Sequence, residues 1–301
     1  MVQVHAGIFQ SYFIDENGSV WVCGENSFGS LGTRNPADVK KFSEPKKMPD
    51  LPPIEAIFTG NTYAFLLDYE GWLWACGVNG TLGSLNNDPF VLKKFNQIKG
   101  ICINAHHCLV LDADCVLWGV FDQCAILPSL FDQVQIIPDL PKFRAILSSF
   151  QHSLLLDVDG GVWSTGANGF GQCGRNEKTN LLCNLGKILN IPEIHDIQTG
   201  EYHSLLLDLE GNVWSFGYNG EGQLGLESKA NIPIKVQELP LIVKIYCGAY
   251  FSLAVDQEGT IWGCGSLRFT RSKQKFTKLS ELPVLRLQAG GKRLKSARNV
   301  R

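Results

Sequence analysis

No run of apolar residues in the 301-residue chain approaches the roughly 18 needed to cross a bilayer, so a membrane span is not expected. The opening MVQVHAGIFQSYFIDENG lacks a basic start followed by an apolar core, which argues against a secretory signal. Ten cysteines without such a signal, and without a CxxC pair, read as reduced thiols in a cytoplasmic or nuclear protein, with zinc disfavoured. A sustained helical period is also missing. Basic residues are scarce over most of the chain: of 27 Lys and Arg, eleven fall between Arg268 and Arg301, where Glu281 is the one acid. The chain before Arg268 therefore holds 16 basic and 28 acidic side chains, a net charge of −12 against +10 for the remainder.

What is present is a repeat. An Asp followed six residues later by a Trp occurs six times: Asp15 with Trp21, Asp68 with Trp74, Asp112 with Trp118, Asp157 with Trp163, Asp208 with Trp214 and Asp256 with Trp262. The pair recurs roughly every fifty positions, and only Trp72 stands outside the series. Glycine follows the Asp by three at Gly18, Gly71, Gly160, Gly211 and Gly259, and the Trp by three at Gly24, Gly77, Gly166, Gly217 and Gly265. A GxxG then closes four units, at Gly29, Gly80, Gly171 and Gly222.

Each LLLD-x-E-G-x-VW stretch reads as strand, tight turn and strand, because the turn wants a glycine at positive φ and the flanks are β-branched or aromatic. Each Trp is expected to bury against adjacent units. Units of this length with two hairpins fit an all-β propeller of six or seven four-stranded blades. The end PVLRLQAGGKRLKSARNVR resembles the opening half of a unit (compare PLIVKIYCGAYFSLAVD), so closure by pairing of the chain termini is expected. The expected organisation is a propeller over residues 1–290, six Trp-containing units plus a partial seventh, and a basic tail over 291–301.

The aligned elements GEYHSLLLDLEGNVWSFGYNGEGQLG (200–225) and QHSLLLDVDGGVWSTGANGFGQCG (151–174) resemble the regulator of chromosome condensation family. The resemblance covers Val2 to about Gly291. It implies a propeller, seven-bladed in the founding member, which is a guanine-nucleotide exchange factor for the small GTPase Ran and docks on nucleosomes. Other members use the propeller in ubiquitin-ligase targeting, with different GTPases, or as bacterial effectors. This chain departs from the pattern in its third unit, with Cys115 and Phe121 where glycines recur, and in its sixth, where a basic stretch replaces GQLG. It is also one blade short of seven and has no long insertion between the Trp positions to serve as an exchange wedge.

Chemistry-bearing motifs yield little else. The D-x-[DE]-G turns could suggest calcium, yet the twelfth positions after Asp157 and Asp208 are Asn168 and Asn219, not Glu. NGEGQLG lacks the Lys and Ser/Thr of a phosphate loop, and the amides of Asn26, Asn79, Asn168 and Asn219 read as turn caps. His107, His152 and His203 share a position that holds Gln10, Tyr63 and Phe251 in sister units, so it is a packing or hydrogen-bonding position and no triad is supported. No catalytic residue, metal or cofactor is expected. The basic stretch of Arg268, Arg271, Lys273 and Lys275, with Lys292, Arg293 and Lys295 in the tail, reads either as a solvated loop and end or as a patch for an acidic partner. Three functions follow in order: a non-catalytic protein-interaction scaffold, an exchange factor for a Ran-like GTPase, and chromatin or nucleic-acid docking through the basic end.

Overall fold

Every Asp–Trp pair closes the same turn. In the computed structural model, which describes residues 3–7, 9–26, 29–33, 41–60, 63–77, 89–104, 107–122, 134–149, 151–176, 182–267 and 273–279, all six Trp indole N–H groups donate to the Oδ2 of the Asp six residues before, at 2.7–3.1 Å. The Oδ1 of the same Asp accepts the backbone N–H groups two and four residues on, for example Glu210 and Asn212 on Asp208. One carboxylate thus holds three donors across a hairpin turn, which is why the spacing is six. The indoles are half-buried or, for Trp21, exposed, less buried than the sequence suggested, because the ring lies beside the turn and keeps its N–H at the carboxylate. We expect Trp163→Phe, which keeps the edge contact with Phe143 at 6.0 Å but loses the donor, to cost about 1–2 kcal/mol in urea unfolding.

The hairpins are the middles of six four-stranded antiparallel sheets, each built from four consecutive strands in sequence order. Sheet one comprises Gln3–Ala6, Gln10–Ile14, Val20–Glu25 and Lys41–Lys47. Sheet two spans Ile54–Thr59 to Phe90–Lys94, sheet three Ile98–Ile103 to Gln135–Ile136, and sheet four Phe143–Ser148 to Leu182–Lys187. Sheet five comprises Ile194–Thr199, His203–Asp208, Val213–Gly217 and Ala230–Lys235, and sheet six Ile242–Cys247, Phe251–Asp256, Ile261–Gly265 and Lys273–Lys278. Two compact units divide the chain, one with sheets one to three and the other with sheets four to six. The partial seventh unit, its pairing with the start of the chain and the tail from 291 lie outside the described residues.

Within each unit the sheets stack face to face. In the second unit Leu154 and Leu156 of sheet four meet Ile197 and Leu206 of sheet five, while Leu205 and Leu207, on the opposite face of the same strand, meet Ile242, Ile245 and Ala254 of sheet six. Sheet five is covered on both faces, and so HSLLLD is a continuous apolar run, not an alternating one. Each fully buried Leu contributes about 1.5–3 kcal/mol. In the first unit Tyr12, Val22 and Ile57 form the corresponding core between sheets one and two, and Phe65, Leu73 and Val110 that between two and three.

The third unit solves its two missing glycines differently. Cys115 takes the turn glycine's place directly, at φ 64°. Phe121 stands where Gly24, Gly77, Gly166, Gly217 and Gly265 sit in the other sheets at φ between 88° and 109°. At Gly217 a Cβ would lie 2.5 Å from the Tyr202 carbonyl oxygen and 2.8 Å from His203 Cα, so a side chain has no room. Sheet three instead slips by one residue: Cys108 pairs with Phe121 but Leu109 pairs with Gly119, and His107 is opposite Asp122. A bulge replaces the glycine.

Candidate partner-binding surface

An up-and-down sheet puts the Asp–Trp turns at one end and the other two connections at the opposite end. At the latter end the GxxG turns are capped from within: Asn26, Asn168 and Asn219 each accept, through Oδ1, the N–H five residues on, from Leu31, Cys173 and Leu224, at 2.9–3.0 Å. Asn79 and Gly80 lie outside the described residues. The amides therefore serve the turn, leaving that chemistry committed to structure.

The His–Ser pairs also turn out to be structural, in a way the sequence does not show. His203 Nε2 lies 2.9 Å from Oγ of Ser252 in the next sheet, and His152 Nε2 lies 2.8 Å from Ser204 Oγ. Ser252 and Ser204 donate their single hydroxyl hydrogens to the carbonyls of Gln223 and Gln172, at 2.7 and 3.0 Å. Each Nε2 must therefore carry the proton and donate it. Each histidine thus latches its sheet to the next one, and Ser204, beside His203, receives the latch of His152 from the sheet before. Burial pushes the pKa of His203 down to about 3, against a smaller opposing backbone hydrogen bond at Phe251, so the ring is neutral.

The thiols follow suit. Cys76 and Cys264, at one repeat position, are buried with Sγ 3.0 Å from the Ser30 carbonyl and 3.4 Å from that of Gln223, while Cys23 is half-buried. Burial pushes Cys76 up to about 12, and Cys264 well above the ordinary thiol value, so neither is a nucleophile at neutral pH.

Of the basic residues, Lys275 is placed by the fourth strand of sheet six, exposed, with Nζ 3.4 Å from Glu238. Lys273 belongs to the same strand; Arg268, Arg271, Lys292, Arg293 and Lys295 lie outside the described residues. What the sequence reading did not single out is an aromatic cluster at the loop end of sheets four to six. Phe170 and Tyr218 come from connections between third and fourth strands, Tyr202 and Tyr250 from those between first and second. Phe170 meets Tyr202 and Tyr218 edge-on at 5.3 and 5.0 Å, and Tyr250 lies over Tyr202 at 6.3 Å, tilted by 34°. Phe170 and Tyr250 are 42% and 37% exposed, large values for rings packed together. Glu201 sits among them. Its hydrogen bond, then burial, raise the pKa of Tyr250; burial, then the Glu201 charge, raise that of Tyr202.

The description "Regulator of chromosome condensation (RCC1) repeat" matches residues 17–67 and 210–255, and a second form of that repeat matches 194–223. The chain carries RCC1 repeats. Human "Probable E3 ubiquitin-protein ligase HERC4" is 29% identical over 240 residues, 77% of this chain and 18% of that protein. "Guanine nucleotide exchange factor SRM1" of Saccharomyces cerevisiae is 25% identical over 282 residues, 79% of this chain and 57% of that one. The chain thus spans less than a fifth of the first relative's length and little over half of the second's. Among solved structures, yeast RCC1 (Prp20) bound to Kap60 superposes with a TM-score of 0.67 at 21% identity, over 93% of this chain and 74% of that one. Human WBSCR16 gives 0.62 at 18% identity, over 82% and 70%. These likenesses establish the fold: the six sheets among the described residues are blades of an all-β propeller. No helix among the described residues is long and apolar enough to cross a membrane.

Proposed function

We propose that this RCC1-repeat propeller is a non-catalytic protein-interaction scaffold, acting in the regulation of a small GTPase or within a larger assembly. The observation that carries this reading is how the polar chemistry is used. The six carboxylates bind turn N–H groups, the latch histidines bind serines of the next blade, and the cysteines that share the repeat position are buried or half-buried strand thiols. What faces outward at the loop end is an aromatic and acidic surface suited to a protein partner.

Exchange on a Ran-like GTPase is the second reading, favoured by the likeness to SRM1 over 79% of the chain. It needs no covalent chemistry, since an exchange factor displaces the switch regions and magnesium of its partner. Release of fluorescent GDP from purified Ran and a panel of related GTPases separates the two. We expect no acceleration beyond a few-fold on any of them; a hundredfold increase on one would replace the scaffold with an exchange factor. Docking to chromatin or nucleic acid through residues 268–301 is a third reading, and it requires an affinity that falls steeply with salt.

A further inference from the structure

Four aromatic rings from three blades converge at one place, although none of the four belongs to the Asp, Trp and Gly pattern that defines the repeat. The fold itself does not require them: Tyr202 and Tyr250 stand at one repeat position, which holds Gln151 in blade four, and the position of Phe170 holds Glu221 in blade five. None is among the buried residues of the cores between sheets four, five and six. Tyrosine and phenylalanine held rigid by mutual edge contacts, yet partly exposed, are the residues that anchor protein interfaces. Their rings present electron-rich faces, and the Glu201 carboxylate beside Tyr202 and Tyr250 adds a full negative charge. Glu221 lies in the neighbouring turn, its backbone N–H held by Gln223 Oε1 at 3.0 Å.

We infer that the surface formed by Phe170, Tyr202, Tyr218, Tyr250 and Glu201 binds an arginine-containing basic segment of a partner protein. The guanidinium lies over the Tyr202 or Tyr250 ring and pairs with Glu201, while the Arg methylenes cover Phe170. Arginine suits the site better than lysine because its planar, weakly hydrated head stacks on a ring and pairs with a carboxylate at once. This inference rests on the scaffold reading and specifies the chemistry of its partner.

The test is fluorescence anisotropy of the full chain with a labelled peptide of alternating Arg and Gly, and with the same peptide carrying citrulline, which is neutral and of nearly the same shape. Binding of the Arg peptide should weaken at least tenfold when citrulline replaces Arg. It should weaken about tenfold in Tyr250→Ala and several-fold in Glu201→Gln. The latter changes one atom, so its folding is not at issue, and thermal melts check the former. Equal binding by the citrulline peptide, or by both variants, would overturn the assignment, the latter by placing the peptide elsewhere. A full chain with Lys292, Arg293 and Lys295 changed to Gln gives a separate outcome. Unchanged affinity supports a partner segment, whereas clear tightening would make the chain's own tail the occupant and overturn a partner's. GDP release is untouched by any of these results, so failure here leaves the scaffold reading to be judged by its own experiment.

Discussion

Replacing Gly217 with valine is expected to destabilise the second unit by about 3–5 kcal/mol. Two effects add. The backbone at 217 has φ 109°, a conformation that costs a branched residue on the order of 1–3 kcal/mol. The new Cβ would also sit 2.5 Å from the Tyr202 carbonyl oxygen and 2.8 Å from His203 Cα, atoms of an adjacent strand that cannot rotate away. Overpacking of this kind adds roughly 1–3 kcal/mol. In a unit of this size the midpoint of thermal unfolding should fall by roughly 10 °C. Gly259→Ala is the matched control: φ there is 80°, but nothing lies within 4 Å of the added carbon, so the backbone term stands alone at about 1 kcal/mol. Equal losses in the two variants would show that backbone strain, not the meeting with the neighbouring strand, makes the glycine necessary.

Acid is expected to unfold the protein earlier than its carboxylates alone require. His203 is held neutral, with its pKa lowered to about 3, whereas an exposed histidine in the unfolded chain titrates near 6.5. Above 6.5 neither state takes up a proton and the group leaves stability unchanged with pH. Below it the unfolded chain binds a proton that the folded chain refuses, and stability falls by up to about 1.4 kcal/mol per pH unit until the folded pKa is reached. By pH 4 the loss from this one ring approaches about 3 kcal/mol. The turn carboxylates act in a lower window. Asp15 and Asp256 have pKa values lowered first by their Trp indoles, and Asp208 by Trp214 and Asn212 against an opposing effect of burial. Their contribution is intact above about pH 4 and is lost only as pH falls through their folded values. His203→Phe imports the residue that blade six already carries at this position, Phe251, opposite Gly265 as His203 is opposite Gly217. Urea unfolding from pH 7 to pH 4.5 should show a shallower decline in this variant than in the parent; parallel slopes would refute the assignment.

The blades were legible in the sequence because the Asp–Trp spacing is itself a structural measurement. It equals the distance across a turn over which one carboxylate can hold an indole N–H and two backbone amides. The two departures of the third unit illustrate the limit. Cys115 at a glycine position does not say whether the turn is lost or the cysteine takes up positive φ; the backbone shows the latter. Phe121 gives no hint of the bulge that accommodates it, since a one-residue slip is a property of two strands and not of one. The latch between His203 and Ser252 was equally hidden. Adjacent His and Ser invite a pairing within one unit, but neighbours along a strand point to opposite faces, and each finds its partner in a different sheet. The aromatic cluster escaped notice for the opposite reason. Tyr202 and Tyr250 share one repeat position, which holds Gln151 in blade four, while Phe170 and Tyr218 stand at two others, and a search for a residue type fixed in every unit passes over all four.

Because each sheet consists of four consecutive strands, every ladder hydrogen bond in it is made within a single short run of chain. A break in the chain between sheets, as in the stretch from Lys235 to Ile242, separates complete ladders and exposes no half-paired strand. A break inside a sheet strips one. The heritable unit of gain and loss in such a chain is therefore the whole blade, and its joints are the places where lineages can lengthen or shorten the array without inventing a new fold.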